Sequence, residues 1–210
     1  MVAKDIAYHR KTARQRRSEL IAAGIACLGR GGMSAFTIDQ ICKQAGVSRG
    51  LINHHFDSKE ELLVSIYAQM TEYLVREHAA ATPRQRIASF IDSSFDAASF
   101  NKSSLRAWLA IWGQVATHAE LKSLHQRRYQ KYRLQLVDAL TVISESEQLA
   151  IDADSVARQL IALIDGLWLE YCLHADGFSL DDARADCYHF LQGIGIVIQP
   201  GHDRQENIQA

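Results

Sequence analysis

The 210 residues make one medium domain, or a small domain joined to a larger one. With 48% of them apolar, a sizeable core can be buried, which excludes wholesale disorder. The net charge of −1 hides an asymmetry: residues 1–60 carry ten Lys/Arg against five Asp/Glu, whereas the rest carry thirteen against nineteen. A basic head on an acidic body is the distribution a nucleic-acid-binding head requires.

Only Pro83 and Pro200 interrupt the chain, and no alternating strand pattern or Asn-Gly hairpin signal is present, so an all-α fold of about nine helices is predicted. The Arg-rich segment Lys4–Arg17 leads into Leu20, Ile21, Ile25 and Leu28 at helical spacing. Arg10–Arg17 reads either as an arm reaching DNA or as a solvated basic helix end. Gly29, Gly31 and Gly32 end the first helix. Thr37 opens a short second one, with Gln40 at the capping-box position, and it closes at Ala45-Gly46. Ser48 caps a third helix to about Phe56. Ser58, with Glu61, opens a long fourth, predicted over Lys59–His78. Thr82-Pro83 with Gln85 starts the fifth. Helical patterns follow over Leu105–Ala116, His118–Ile143, Asp154–His174 and Ser179–Val197, and a polar tail covers 201–210.

Three helices joined by short turns, with glycine in the middle turn, describe a helix-turn-helix. The stretch from Thr37 to Leu63 contains Thr37-Ile38, Ile41, Ala45-Gly46-Val47-Ser48, Gly50, Phe56 and Lys59-Glu60 followed by Leu62-Leu63. This pattern resembles the DNA-binding signature of the tetracycline-repressor (TetR) family. In it Ile38, Ile41, Ala45, Val47 and Phe56 are scaffold, and Gly46 permits a left-handed turn. The resemblance implies that Arg49, Asn53 and His54 face base edges and that Thr37, Ser48, His55 and Lys59 face phosphates. Arginine pairs with guanine and asparagine with adenine through two contacts each. A tyrosine is common in the family where Asn53 and His55 stand; Asn53 is therefore expected to change the sequence read, and His55 to donate to phosphate with a strength that varies with pH. The expected division is a DNA-binding head over 1–57, a ligand-binding and dimerising body over 58–200, and the tail.

Within the body, Ala107-Trp108-Leu109 with Trp112, then Arg127-Arg128, then Ala162-Leu163-Ile164-Asp165-Gly166-Leu167-Trp168-Leu169, resemble the choline-responsive branch of that family. This implies repression of choline-to-glycine-betaine genes, relieved by choline. The residues allow such a ligand: Trp108 and Trp112 share a helix face, as do Asp165 and Trp168. An aromatic cage with a buried carboxylate holds quaternary ammonium by cation–π attraction. Trp108, Trp112, Asp165 and Trp168 are the candidates, with Tyr129, Tyr132 and Tyr171 as further contributors. Aromatic residues at helical spacing also build ordinary cores, and Asp165 could instead pair with Arg128. Glu170 reads as a solvated or interface residue.

A homodimer is expected through Leu160, Ile161, Ile164 and Leu167 and through Tyr188, Leu191, Ile194 and Ile198. Gly166, Gly193 and Gly195 would allow close approach. The partner would be a near-palindromic operator. No GxGxxG, phosphate loop, GxSxG or HExxH is present, so an enzyme is not expected, nor any cofactor. Cys27, Cys42, Cys172 and Cys187 have no metal-ligand spacing and read as small apolar residues. No signal peptide is seen, and Ile161–Leu173 is too short to span a bilayer, so a cytoplasmic protein without membrane contact is expected. The rival readings are the same fold with another inducer, and a DNA-binding architectural protein without sequence preference.

Overall fold

The computed structural model describes residues 12–72, 82–96, 101–174 and 177–199. Among these, nine helices form and no strand: α1 (Ala13–Ala35), α2 (Ile38–Ala45), α3 (Arg49–His55), α4 (Lys59–Met70), α5 (Pro83–Ser94), α6 (Lys102–Val115), α7 (Ala119–Glu147), α8 (Ala153–Leu173) and α9 (Leu180–Gly193). The expected tail, residues 4–11 and positions 73–78 of the expected long fourth helix lie outside the described residues.

The helix starts follow their capping chemistry. Thr12 with Gln15 and Thr82 with Gln85 form reciprocal capping boxes, the latter with Pro83 in the first turn. Thr37 accepts from the Gln40 N–H, which is half of the box expected there. Ser58 accepts from the Glu61 N–H, and the Glu61 carboxylate reaches past Ser58 to the Asp57 N–H at 2.7 Å. Ser48 stands at the N-cap of α3, but its hydroxyl makes no capping bond.

Two glycines decide the path of the chain in the head. Gly46 turns α2 into α3 at φ 65°, where a side chain is strained. Gly29 lies so close to the start of α6 that a Cβ there would meet Ser103 Oγ at 2.0 Å and the Ser103 carbonyl oxygen at 2.6 Å. The head thus docks on the body through α1 and α6, backbone to backbone. The expected glycine break falls at Gly31 and Gly32, whose non-helical angles kink the end of α1.

One core runs through head and body. In the head, Leu20, Leu28, Phe36, Ile41, Ile52 and Phe56 are buried around α1, and Leu62, Ile66 and Tyr67 of α4 carry the core into the body. At roughly 25 cal/mol per Å² of apolar area removed from water, side chains of this size stabilise by about 2 kcal/mol each. Cys27, Cys42 and Cys187 are buried and Cys172 is half-buried, all as free thiols.

Candidate DNA-binding face and effector cavity

The residues expected to face DNA are gathered by the turn geometry. Thr37, Ser48, Arg49, Asn53 and His54 are exposed, and His55 and Lys59 are half-buried. Ser48 keeps its hydroxyl available because it does not cap α3. Burial first, then the neighbouring His54, pushes the His55 imidazole below its usual pKa. Arg49 is not an isolated probe: its guanidinium is paired with the Asp39 carboxylate of α2, a neighbour the sequence reading did not single out.

Of the two readings of Arg10–Arg17, an arm and a basic helix end, the described residues form a helix end. Thr12 caps α1, so residues 13–17 are its first turns. Arg17, half-buried, turns back onto the head. It donates to the His55 carbonyl at the end of α3, to Glu61 Oε1 at 2.9 Å and to Ser65 Oγ at 2.9 Å, and lies 4.1 Å from the centroid of the Phe56 ring. One cation therefore ties α1, α3 and α4 together.

In the body, a cavity of about 460 Å³ is lined by Trp112, Val115, Ala116, Lys122, His125, Gln126, Tyr129 and Asp165. Its walls come from α6, α7 and α8. Asp165 accepts from the Tyr129 hydroxyl at 3.2 Å, and among the described residues no cationic side chain is paired with it. Burial, opposed by that hydrogen bond, pushes its carboxyl up to about 7. Trp112 Nε1 is buried with no hydrogen-bond partner among the described residues. His125 stacks on Tyr129 with ring centroids 4.1 Å apart, and burial holds its pKa below the usual histidine value.

Of the sequence-derived ligand candidates, Trp112, Tyr129 and Asp165 meet at this cavity. Trp108 is buried behind Trp112, edge-on to it, to Trp168 and to Tyr67. Trp168 is buried and donates Nε1 to the Ser94 carbonyl at 2.8 Å. Tyr132 is buried against Phe90. These three form the aromatic wall behind the cavity rather than its lining. Tyr171 lines a separate cleft of about 220 Å³ with Lys102, Arg106 and His174. Arg128 does not pair with Asp165; it holds the Ala68 carbonyl, Thr71 Oγ1 and Glu72 at the end of α4. His125, missed in the sequence, was legible as the residue four before Tyr129 on one helix face.

Residues 83–195 match the family of BetI-type transcriptional repressor C-terminal domains, and residues 20–66 match the bacterial regulatory proteins of the tetR family. The HTH-type transcriptional regulator BetI of Pseudomonas aeruginosa is 34% identical over 183 residues, spanning 84% of this chain and 91% of that protein. The chain belongs to the TetR family. Its regulatory domain is of the BetI type. The BetI of Yersinia pestis is 30% identical over 184 residues, with the same shares of each chain covered. A transcriptional regulator from Pseudomonas aeruginosa PAO1 superposes with a TM-score of 0.75 at 34% identity, over 91% of this chain and 95% of that one. A regulator from Saccharomonospora viridis, solved in complex with choline, shares the fold with a TM-score of 0.73 at 22% identity, over 85% and 96% of the two chains.

As a TetR-family protein the chain is a DNA-binding transcriptional repressor and not an enzyme. It acts as a dimer on operator DNA and responds to a small-molecule effector. The residues expected to make the dimer need correction. Leu160, Ile161 and Ile164, and likewise Leu191 and Ile198, are buried within the protomer. The opposite face of α8 carries exposed Leu169 and Leu173, half-buried Leu163 and Leu167, and Gly166, around which the protomer leaves open space. No helix of the structure is long and apolar enough to cross a membrane, as far as the described residues go.

Proposed function

We propose that this repressor acts in the cytoplasm on choline-to-glycine-betaine genes and is released when choline, or a related quaternary ammonium ion, enters the cavity formed by Trp112, Tyr129 and Asp165. The observation that carries the reading is Asp165: a desolvated carboxyl at an aromatic cavity, with no cationic side chain paired to it among the described residues. A buried carboxylate without a counter-charge is costly. A permanent cation would supply that charge, and the faces of Trp112 and Tyr129 would attract it by on the order of 1–2 kcal/mol per ring when desolvated. Burial disfavours the charged form of His125, which would compete with a cationic ligand. The unpartnered Trp112 Nε1 offers a donor to an acceptor on the ligand, such as an alcohol oxygen. The choline found in the Saccharomonospora viridis regulator supports the same chemistry.

The proposed division puts the DNA-binding head at 1–57 and the body at 58–200, with α4 as the bridge. Two ties fix α4 to the cavity helix α7: the Tyr67 hydroxyl hydrogen-bonds to His125 Nδ1 at 2.7 Å, and Arg128 grips the carbonyl end of α4. At the other end of α4, Arg17 binds both Glu61 and the last turn of α3. Tyr67 keeps its proton, since burial raises its pKa, and the donor and acceptor roles in its bond to His125 Nδ1 follow the imidazole tautomer. A cation that draws in Asp165 and Tyr129 moves the stacked His125, and through Tyr67 it shifts α4 and the head. The effector then selects the arrangement in which the paired heads no longer match the operator.

In the head, Arg49, Asn53 and His54 are proposed to read base edges, and Thr37, Ser48, His55 and Lys59 to hold phosphates. The test is fluorescence anisotropy of labelled promoter DNA from choline-oxidising genes. Release on adding choline, but not the uncharged isostere dimethylbutanol, is the expected result. Occupancy unchanged by choline at saturating concentration contradicts the proposal.

A further inference from the structure

Asp39 stands at the second position of α2 and Arg49 at the first of α3, one on each arm of the helix-turn-helix. Arg49 Nε donates to Asp39 Oδ1 at 2.6 Å and Nη2 donates to Oδ2 at 2.5 Å. Both side chains are about two-thirds exposed, at 67% and 65%. An ion pair so open to water adds little to the stability of the head, so its consequence is geometric. The carboxylate occupies the side edge of the guanidinium, between Nε and Nη2. The end of the group, with both Nη1 protons and the outer Nη2 proton, stays open. That end-on pair of parallel N–H donors can match guanine O6 and N7 in the major groove.

We propose that Asp39 is a positioning residue that presents Arg49 as a guanine-reading fork, so that each operator half-site contains one obligatory guanine. The inference rests on α3 being the helix that reads DNA. A guanidinium held before DNA arrives loses less freedom on binding than a mobile one. The carboxylate also repels phosphates, which lowers non-specific affinity. Both effects raise the ratio of specific to non-specific binding, which is what a repressor needs in a genome full of competing sites.

The test begins with selection from a random duplex library by the full-length protein, by Arg49→Ala and by Asp39→Asn, with melting curves confirming that the variants fold. Arg49→Ala is expected to relax one symmetric guanine in the selected motif. Replacing that guanine by 7-deazaguanine, which lacks the N7 acceptor, is expected to weaken the unaltered protein on the order of tenfold. Asp39→Asn is expected to bind the two duplexes alike and to bind random DNA more tightly. Full discrimination against 7-deazaguanine in Asp39→Asn overturns the role of Asp39. Arg49→Ala relaxing no guanine overturns the inference while leaving α3 as the reader. A library in which the unaltered protein enriches nothing overturns the reading of α3 itself.

Discussion

The Tyr67 hydroxyl lies 2.7 Å from His125 Nδ1, joining the helix that leaves the DNA-binding head to the helix that lines the effector cavity. Around this bond the fold places two functions at the ends of one short helix, and each end is held by its own arginine.

Tyr67→Phe removes the bond without removing the ring, which stays edge-on to Trp108. The expected outcome is a protein that binds choline nearly as before but is released from its operator poorly. Calorimetry for the first and anisotropy for the second separate binding from transmission. Unimpaired release by Tyr67→Phe would show that the signal takes another path, through Arg128 for instance.

Asp165 sets a pH dependence whose sign is fixed by its raised pKa. The ligand-free folded protein holds a proton on Asp165 up to about pH 7, whereas the unfolded chain gives it up near the ordinary carboxyl value of 3.8. Stability therefore falls as pH rises through that window, by up to a few kcal/mol. Asp165→Asn should flatten this dependence and raise the melting temperature of the ligand-free protein above pH 7. Cation binding should weaken as pH drops below 7, approaching tenfold per unit, since the ligand must then displace a proton. Melting curves and titrations at several pH values read both effects, and a pH-independent affinity would remove Asp165 from the site.

Trp112→Ala should weaken a quaternary ammonium ligand roughly 5- to 30-fold by loss of one ring face. Trp168→Ala should act differently. Its Nε1 holds the Ser94 carbonyl and its ring backs Trp108, so the loss is of the order of 3–5 kcal/mol in stability. A paired measurement of melting temperature and affinity distinguishes a cavity residue from a wall residue.

Arg17→Ala loses the carbonyl contact to α3, the pairing with Glu61 and the cover over Phe56 in a single change. About 2 kcal/mol of stability should go with it. Operator affinity should fall because the last turn of α3 loses its tie to α1 and α4. Arg17→Lys cannot reproduce the forked contacts and should recover only part.

Much of the head was legible because its signals are local. Thr37 and Gly46 in the head, like Ser58 and Thr82 in the body, act within one turn of where they stand, and their spacing encodes the helix boundaries directly. The regulatory site was legible only in part. Helical spacing places Trp108 and Trp112 on one face, but not which of them meets solvent: that depends on Trp168 and Tyr67, far along the chain. Trp168 was drawn away from the cavity by a carbonyl in α5. The stripe Leu160, Ile161 and Ile164 was as apolar as a dimer face must be. It was core instead, since α8 is apolar on two sides and the pattern does not say which looks inward. Asp39 escaped notice because an acid in the first turn of a helix is ordinary, and only the fold brings it to Arg49.

The central claim is a cation site built on Asp165, Trp112 and Tyr129. Its most direct measurement is a calorimetric titration of the purified repressor with choline and with dimethylbutanol, repeated on Asp165→Asn. The account predicts saturable binding of choline, none of the neutral isostere, and loss of choline binding in the folded variant. Choline binding that survives in Asp165→Asn, or equal binding of the uncharged twin, would contradict it.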